Sequence, residues 1–205
     1  MKKFLILLAG SPATGKTYLI QKIREQIPTL FLITPDEGKE LFADSVGFDT
    51  LVEKEQLEKK VWQFYYGVLT LYMDAGKQVI VSEYPFSDKQ KNKLAQLAHT
   101  HNYEIITIRL VADFEVLWER RKVRDIEPDR HLSHIMTHYH FSDRLDDRSK
   151  ADDLITKDKF KKIIQTRKYD QFELGEIHEF DVTDFEKVEY SGLIQYLKNK
   201  IENEH

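Results

Sequence analysis

The sequence contains no cysteine, no long hydrophobic run and no strong excess of charge of either sign. Without cysteine, disulfide bonds, thiolate metal sites and cysteine nucleophiles are excluded. No stretch approaches the ~20 apolar residues that a membrane-spanning helix requires. The net charge of −4 gives no overall attraction to nucleic acids or anionic membranes, so we expect neither as a partner. The lack of cysteine also fits a reducing compartment, and we expect a cytoplasmic protein.

The composition that remains is typical of a folded globular protein. Of the 205 residues, 41% are hydrophobic and 12% are aromatic, which is enough for a proper core. No internal repeat, low-complexity tract or linker divides the chain. We therefore predict a single domain over residues 1–205.

The first ten residues, MKKFLILLAG, superficially resemble a secretory signal peptide. The apolar run covers only residues 4–9, which is too short for the hydrophobic region of such a peptide. It also leads straight into the motif described below. We interpret the run as a buried strand.

Short apolar runs alternate with helical patterns along the chain. Continuous apolar runs are typical of strands buried on both faces of a parallel sheet. These runs cover residues 4–9, 30–33, 79–81, 105–110 and 177–182. The alternation predicts an α/β fold with a mostly parallel sheet of about five strands. Among the helix signals, Ser87 with Gln90 is typical of a capping box, Asp113 is suited to cap a helix, and Gly76 is suited to end one.

Residues 10–17, with the sequence GSPATGKT, match the phosphate-binding pattern G-x-x-x-x-G-K-[ST] in full. The preceding strand and the following helical pattern make a chance match improbable. Gly10 and Gly15 allow the backbone to approach phosphates closely, Lys16 can contact the β and γ oxygens, and Thr17 can bind Mg²⁺. We predict that MgATP is bound by Gly10, Ser11, Pro12, Ala13, Thr14, Gly15, Lys16 and Thr17, with Mg²⁺ on Thr17.

Several classes of P-loop protein fit the rest of the chain poorly. A GTPase should carry an N/T-K-x-D motif, and in the nearest string the acidic residue, Asp158, stands one place too early. A mechanical ATPase of the AAA+ kind normally needs a second, helical domain and sensor residues, for which little chain remains. A single-domain kinase is the simplest interpretation.

Three further segments join the motif in resembling the P-loop kinases and kinase-like ATPases of the zeta-toxin and polynucleotide-kinase type. They are ITPDEGKELF, VIVSEYPF and ERRKVRDIEPDRHLSH, and DVTDF near the C-terminus also fits. Pro85 stands where that group usually has Asn, and Leu132 and Ser133 stand where it usually has Pro-Gly. The resemblance implies a doubly wound sheet with strand order 2-3-1-4-5 and a helical lid, for which residues 120–150 are the candidate.

Two acidic residues are candidates for catalysis. Asp36 follows the second strand, at the sheet edge where ligands bind in such folds, and could accept the proton of an acceptor hydroxyl. Its alternative role is helix capping, because Thr34 and Glu37 have the spacing of a capping box. Glu83 ends the third apolar strand and could hold magnesium through water, or could be a plain strand-end acid.

The candidate lid is rich in arginine and histidine. Arg120 and Arg124 share a helical face, and with Arg130 they could neutralise the transferring phosphoryl group. The alternative is an exposed helix with Glu119 and Asp125 as salt-bridge partners, and Arg121 is interpreted as a bystander. Four histidines cluster here, and we interpret them as polar lid surface rather than a metal site. They are His131, His134, His138 and His140.

These observations predict a kinase that moves the γ-phosphoryl group of ATP to a hydroxyl of a small-molecule or nucleoside-type acceptor. Two alternatives stay open. One is an enzyme acting on a nucleic-acid end or a sugar nucleotide, and the other is an ATP-binding regulatory protein with little transfer activity. The sequence indicates neither the acceptor nor the oligomeric state.

Overall fold

The computed structural model describes residues 2–202. Within them, five parallel strands form one sheet with the order β2-β3-β1-β4-β5. The strands are β1 (Lys3–Gly10), β2 (Phe31–Ile33), β3 (Val79–Glu83), β4 (Tyr103–Val111) and β5 (Glu176–Asp181). The predicted fold class and strand order are confirmed, and the N-terminal apolar run is the central strand.

Seven α-helices occur among the described residues. They are α1 (Lys16–Gln26), α2 (Pro35–Val46), α3 (Leu51–Asp74), α4 (Asp88–His101), α5 (Phe114–Ile126), α6 (Lys157–Arg167) and α7 (Ser191–Glu202). None of these helices is long and apolar enough to cross a membrane.

Each face of the sheet has its own core, because successive side chains of a strand point to opposite faces. Phe4, Ile6 and Leu8 of β1 are buried with apolar residues of α1 and α7. Leu5 and Leu7 are buried on the other face with apolar residues of α3 and α4. A sheet covered by helices on both faces leaves its carboxyl edge free for ligands, and the P-loop follows β1 at that edge.

A third apolar cluster lies beside the sheet and includes the segment that follows α5. Leu132, Ile135 and Tyr139 of this segment are buried against residues of α2 and α3. Tyr139 also pairs with Phe48 through two backbone hydrogen bonds of 2.7 and 2.8 Å. Although residues 120–150 carry many charges, these side chains anchor the segment to α2 and α3.

The local helix signals have mixed outcomes. The backbone N–H of Ser87 donates to the Gln90 side chain at 3.1 Å, and Gly76 adopts a φ of +66° just after α3. Both predictions are confirmed. Asp113 precedes α5, but its side chain makes no capping hydrogen bond, so that expectation is wrong. The Asp113 backbone N–H instead donates to Thr183 after β5, which ties the start of the helix to the edge strand.

Candidate active site

The P-loop between β1 and α1 depends on backbone conformations that favour glycine. Gly10 has a φ of +123°, and a Cβ placed on it would lie 2.2 Å from the carbonyl oxygen of Leu110. Gly15 has a φ of +79° and is the residue before α1. Ala13 also has a positive φ, of +69°. The loop thus forms the cradle that phosphate binding at a helix N-terminus requires.

Lys16 is buried at the start of α1, and its ammonium group folds back onto the loop. The Nζ atom donates to the carbonyl oxygens of Gly10 at 3.2 Å and Ser11 at 3.0 Å. Burial lowers the pKa of Lys16 to about 8, although the carboxylates of Glu83 and Asp36 act in the opposite direction. A buried ammonium group held only by carbonyl oxygens and a hydroxyl is suited to a strongly anionic ligand.

Thr17 and Glu83 are directly joined. The Thr17 hydroxyl lies 3.2 and 3.3 Å from the two carboxylate oxygens of Glu83, which ends β3. Burial raises the pKa of Glu83, and the positive charge of Lys16 opposes this shift. Hydroxyl and carboxylate oxygens are ligands that Mg²⁺ prefers, so the pair fits a magnesium ion that also contacts phosphates. No group of three or more His, Cys, Asp or Glu side chains within residues 2–202 forms a separate metal site.

Asp36 lies in the first turn of α2 and is paired with Lys39 and not with the helix backbone. Its carboxylate is 3.0 Å from the Lys39 ammonium group, which also donates to the Tyr84 hydroxyl at 3.1 Å. Burial alone would raise the pKa of Asp36, but Lys39 and His134 hold it well below its usual range. The capping oxygen belongs to Thr34, whose side chain accepts from the Glu37 backbone N–H at 3.1 Å. Asp36 therefore stays ionised and oriented at the edge of the sheet.

The structure separates the three predicted arginines into two groups. Arg120 donates to the carbonyl oxygens of Val182 at 2.8 Å and Thr183 at 2.9 Å. Arg124 and Arg130 make no side-chain hydrogen bond with any residue between positions 2 and 202. The Arg130 side chain is only 10% exposed, and its nearest carboxylate oxygen, on Asp125, is 3.8 Å from Nε.

Arg130 is a buried cation whose Nε has no hydrogen-bonding partner among residues 2–202. Burial, together with the nearby charges of Arg124 and Arg121, lowers its pKa to about 10. Removing a guanidinium group from water without hydrogen-bonding partners is costly, and an anionic ligand would supply those partners. Arg124 borders two neighbouring clefts. One lies beside the P-loop and is described below, and the other is smaller and is also lined by Arg130. These two residues, and not Arg120, are thus free to meet a phosphoryl group.

Arg121 pairs within its own helix. Its Nε donates to the buried carboxylate of Asp125 at 2.6 Å, which is a salt bridge of the kind that the alternative interpretation of this helix anticipated. The positive charge of Arg121 also contributes, after burial and the charge of Arg124, to the lowered pKa values of Lys16 and Arg130.

A cleft of about 630 Å³ lies between the P-loop and α5. Gly15, Lys16 and Thr17 form one side, and α5 forms the other. Phe185, in the turn after β5, also borders the cleft. The sequence analysis noted that its segment, DVTDF, fits the family resemblance, but it did not identify Phe185 as a site residue. The position of the cleft beside the P-loop fits a bound nucleotide.

The four histidines do not converge. His131 and His134 reach helix α2, where they lie 3.1 Å from Asp44 and 2.8 Å from Glu40. His138 is 3.5 Å from Asp152 and His140 is 2.9 Å from Asp49; both are half exposed. Each ring thus has its own carboxylate partner, and two of the four join the segment after α5 to α2.

Comparison with protein families gives a match to the AAA domain model over residues 5–138, which is well over half of the chain. The chain belongs to this AAA domain family. Its matched part contains the P-loop, Asp36, Glu83 and the arginines of α5 and the following segment. The family description names no substrate. A search of curated proteins gives no significant match.

Solved structures show which enzymes share the architecture of this AAA domain. A protein from Chloroflexus aurantiacus J-10-fl described as a "putative kinase" is 26% identical, with a TM-score of 0.73 over 97% of this chain and 98% of that chain. A gluconokinase from Sinorhizobium meliloti 1021 is 14% identical, with a TM-score of 0.54 and 98% coverage of both chains. The Deinococcus radiodurans tunicamycin resistance protein is also 14% identical, with a TM-score of 0.53 over 98% of this chain and 96% of that chain.

The family match and these neighbours confirm the resemblance to P-loop kinases. The likeness to the first protein extends over nearly the whole of both chains. The other two are under one-fifth identical and show a shared fold alone. The chain is therefore a P-loop kinase-like protein.

Proposed function

We propose that this protein is an ATP-dependent phosphotransferase that moves the γ-phosphoryl group of MgATP to a hydroxyl of a small-molecule or nucleoside-type acceptor. The carrying observation is that the P-loop, with the buried ammonium group of Lys16, and the paired carboxylate of Asp36 lie at the same carboxyl edge of the sheet. Arg124 borders the cleft beside Lys16, and Arg130 borders the adjoining smaller cleft. The phosphate-binding loop follows β1, whereas the carboxylate of Asp36 follows β2, so two different connections contribute to one site.

The order of the strands supports this assignment. The P-loop follows β1, Glu83 ends the adjacent strand β3, and Asp36 follows β2 on the far side of β3. A ligand spanning the edge from β1 to β2 would therefore contact nucleotide residues at one end and Asp36 at the other. The family match and the kinase-like neighbours agree with such a two-substrate site.

Each residue of the edge has a role that its surroundings allow. MgATP would supply the activated phosphoryl group. Lys16 and Thr17 hold phosphate oxygens and magnesium, and Glu83 positions Thr17. Arg124 and Arg130 neutralise charge on the transferring group, because neither guanidinium group makes a side-chain hydrogen bond within residues 2–202.

Asp36 is the residue assigned to the acceptor. It is held ionised by Lys39, so we assign it to accept a hydrogen bond from the acceptor hydroxyl and to orient that group for attack. Because its pKa is depressed, orientation contributes more than proton abstraction, which phosphoryl transfer requires only weakly. Residues 120–150 remain our candidate for a lid, with movement concentrated outside the anchored side chains of Leu132, Ile135 and Tyr139.

The test is transfer of labelled phosphate from γ-labelled ATP to a fractionated metabolite pool. We expect the parent protein to label at least one hydroxyl compound. Lys16→Ala should abolish labelling and weaken ATP binding, whereas Asp36→Asn should reduce labelling and leave ATP binding intact. Glu37→Gln is the matched control, because Glu37 is an exposed acid next to Asp36 in the same helical turn.

The alternatives give different outcomes in the same assay. Labelling of 5′-hydroxyl oligonucleotides or sugar nucleotides, but of no other compound, would favour the first alternative class. Binding of ATP without labelling of any acceptor would favour a regulatory protein and would refute the proposal. A Lys16→Ala variant that turns over ATP at the parent rate would refute the assignment of the P-loop itself.

A further inference from the structure

Helix α3 carries a glycine that the packing of this chain does not require. Gly67 is exposed, and a Cβ added to it would meet no atom of residues 2–202 within 4 Å, its chain neighbours and the nearby helix backbone aside. By contrast, a Cβ on Gly38 would lie 3.0 Å from Val61, so that glycine permits α2 to pack against α3. Glycine in a helix interior lowers helix stability relative to alanine. Gly67 therefore weakens α3 without serving a contact in the part of the chain that the structure describes.

Two large apolar side chains flank Gly67 on the outer face of α3. Phe64 is 42% exposed and Leu71 is 63% exposed. They stand three residues before and four residues after Gly67, so helical spacing places both on the same side of it. The Phe64 ring packs against Phe42 of α2, with 5.4 Å between the ring centres. The face thus has a low point at Gly67 between two apolar side chains, which is the shape that a closely packed helix fills.

Lys60 and Asp74 extend this face with opposite charges. Each is seven residues from Gly67, close to two helical turns, so both lie in line with it, about 10 Å away along the helix axis. Lys60 is exposed and forms no ion pair with any residue from 2 to 202. Asp74 is 63% exposed and is 3.0 Å from His101. The face is therefore positive at one end and negative at the other, with the glycine at its midpoint.

We propose that this face of α3 binds the same face of a second copy of the chain, in a two-fold symmetric dimer whose α3 helices cross antiparallel at Gly67. The antiparallel order brings Lys60 opposite the partner's Asp74, and Phe64 opposite the partner's Leu71. Each contact occurs twice, because a two-fold interface uses the same patch on both protomers. A parallel arrangement would instead place Lys60 opposite its own copy, and Asp74 likewise, so charge repulsion excludes it.

The symmetry of the pattern about Gly67 favours a second copy over an unrelated partner. An unrelated helix could supply complementary side chains in any order. A two-fold contact requires the cation and the anion to stand at equal distances from one centre, and the two apolar residues to do nearly the same. The dimer goes beyond the proposed phosphotransfer reaction and does not depend on it, because none of these residues lines the nucleotide cleft.

The experiment is sedimentation velocity of the full chain over a micromolar concentration series. For the parent we expect a reversible equilibrium between monomer and dimer. Gly67→Gln should weaken the dimer by at least about 10-fold, because a long side chain at the crossing point separates the two helices. Under conditions where the parent is monomeric, the same variant should unfold at an equal or higher urea concentration, because glutamine is the better helix former. A purely structural role for Gly67 would not produce these opposite effects.

Charge exchange tests the antiparallel register. Lys60→Glu and Asp74→Lys should each weaken the dimer by about 10-fold, because each places like charges opposite one another at two symmetric positions. The double variant should regain the affinity of the parent, since both pairs are restored with exchanged signs. This recovery cannot arise within one chain, because the double variant also lacks the contact of Asp74 with His101.

Lys59→Glu is the matched control for these charge reversals. Lys59 is 70% exposed and is paired with Glu55 of the same helix at 3.5 Å. It is the residue next to Lys60, about 100° away around the helix, and therefore lies off the proposed contact. Lys59→Glu should dimerise as the parent does, and circular dichroism of each variant checks that the fold is retained.

Three results would overturn the inference. A parent that stays monomeric throughout the series would assign this face to a different partner. A dimer that Gly67→Gln and both single charge reversals leave intact would use another surface of the molecule. Single reversals that weaken the dimer, followed by a double variant that stays equally weak, would show that the helices do not meet in the antiparallel register.

Discussion

His134 and Glu40 join the segment after α5 to helix α2 through a contact of 2.8 Å between Nε2 and Oε1. Arg130 precedes this histidine by four residues, and Asp36 precedes this glutamate by four residues. Burial lowers the pKa of His134, with Glu40 opposing the shift, and the bond to His134 lowers the pKa of Glu40. The contact thus lies next to the cation and the anion assigned to catalysis.

The His134→Phe substitution should loosen residues 131–139, because it removes the hydrogen bond to Glu40 while the phenyl ring still fills the space of the imidazole. Loss of a buried hydrogen bond costs about 1 kcal/mol, so amide exchange over residues 131–139 should accelerate by roughly 5-fold or more. Hydrogen exchange measured by mass spectrometry checks this. His138→Phe is the control, because His138 is half exposed and is paired with Asp152 instead of with α2. Equal exchange in both variants would contradict an anchoring role for His134.

Acidification should weaken the same contact. A detached His134 would take up a proton near its usual pKa, about 6.5, whereas the buried ring resists protonation. Glu40 acts in the same direction, because its depressed pKa means that the ionised form is stabilised by the contact. Once exchange rates are corrected for the intrinsic slowing of amide exchange at lower pH, the protection of residues 131–139 should therefore fall as the pH drops below about 6.5, and His134→Phe should reduce that dependence.

Lys16 predicts the pH dependence of nucleotide binding. Its pKa is about 8 in the nucleotide-free protein, and phosphate oxygens favour the charged ammonium form. Above about pH 8, binding must therefore be accompanied by proton uptake, and MgATP affinity should fall by up to about tenfold per pH unit. Titrations in buffers of different ionisation enthalpy measure the proton uptake. Lys16→Arg should show a flat profile over the same range, because arginine stays protonated.

Thr17 predicts the metal dependence. Thr17→Val keeps the shape but removes the oxygen that faces Glu83, so magnesium should no longer strengthen nucleotide binding. Thr17→Ser keeps the hydroxyl and should behave as the parent does. Titration of ATP with and without magnesium distinguishes the two variants. A Thr17→Val protein that retains the full magnesium effect would rule out direct ligation.

The Asp36→Asn substitution should have separate effects on phosphoryl transfer and on the stability of the fold. Transfer should fall by roughly 10²–10⁴-fold if Asp36 orients the acceptor, while MgATP affinity should stay unchanged. Lys39 would lose its partly exposed ionic partner, so the variant should also lose up to about 1 kcal/mol of stability, measured by urea unfolding. Glu83→Gln, measured alongside, tests the reverse assignment: if it carries the acceptor-dependent loss while Asp36→Asn stays active, the two roles must be exchanged.

The strands and the P-loop could be predicted because their signals are local. A strand buried on both faces is a continuous apolar run, and residues 4–9 are such a run followed directly by the phosphate motif. Each position of that motif has a chemical requirement that only a few residue types meet. The strand order was not visible in any local pattern and came from the family resemblance.

The arginine assignments show where local patterns stop being informative. Helical spacing places Arg120 and Arg124 on one face, yet the long Arg120 side chain bonds to carbonyl oxygens 62 and 63 residues away. Arg121, the next residue along the helix, pairs with Asp125. Spacing defines the direction in which a side chain leaves a helix, but long-range partners decide where its charged end lies.

The third apolar cluster was missed for a related reason. Leu132, Ile135 and Tyr139 lie in irregular backbone, where apolar residues have no fixed period. Their partners belong to α2 and α3, far away in the sequence. An argument from the high charge of residues 120–150 therefore does not identify the few apolar side chains that pack against α2 and α3.

Gly10 has a consequence for the shape of the cleft. The Cβ that it lacks would lie 2.2 Å from the carbonyl oxygen of Leu110, so the P-loop and β4 touch through main-chain atoms. Helix α5, the opposite wall, starts at Phe114, only three residues after β4 ends. The start of α5 is therefore placed beside the P-loop by the main-chain pairing of β1 with β4, which does not change with side-chain identity. Substitutions along α5 can alter what this wall offers to a ligand, but the point from which the helix leaves the sheet stays the same.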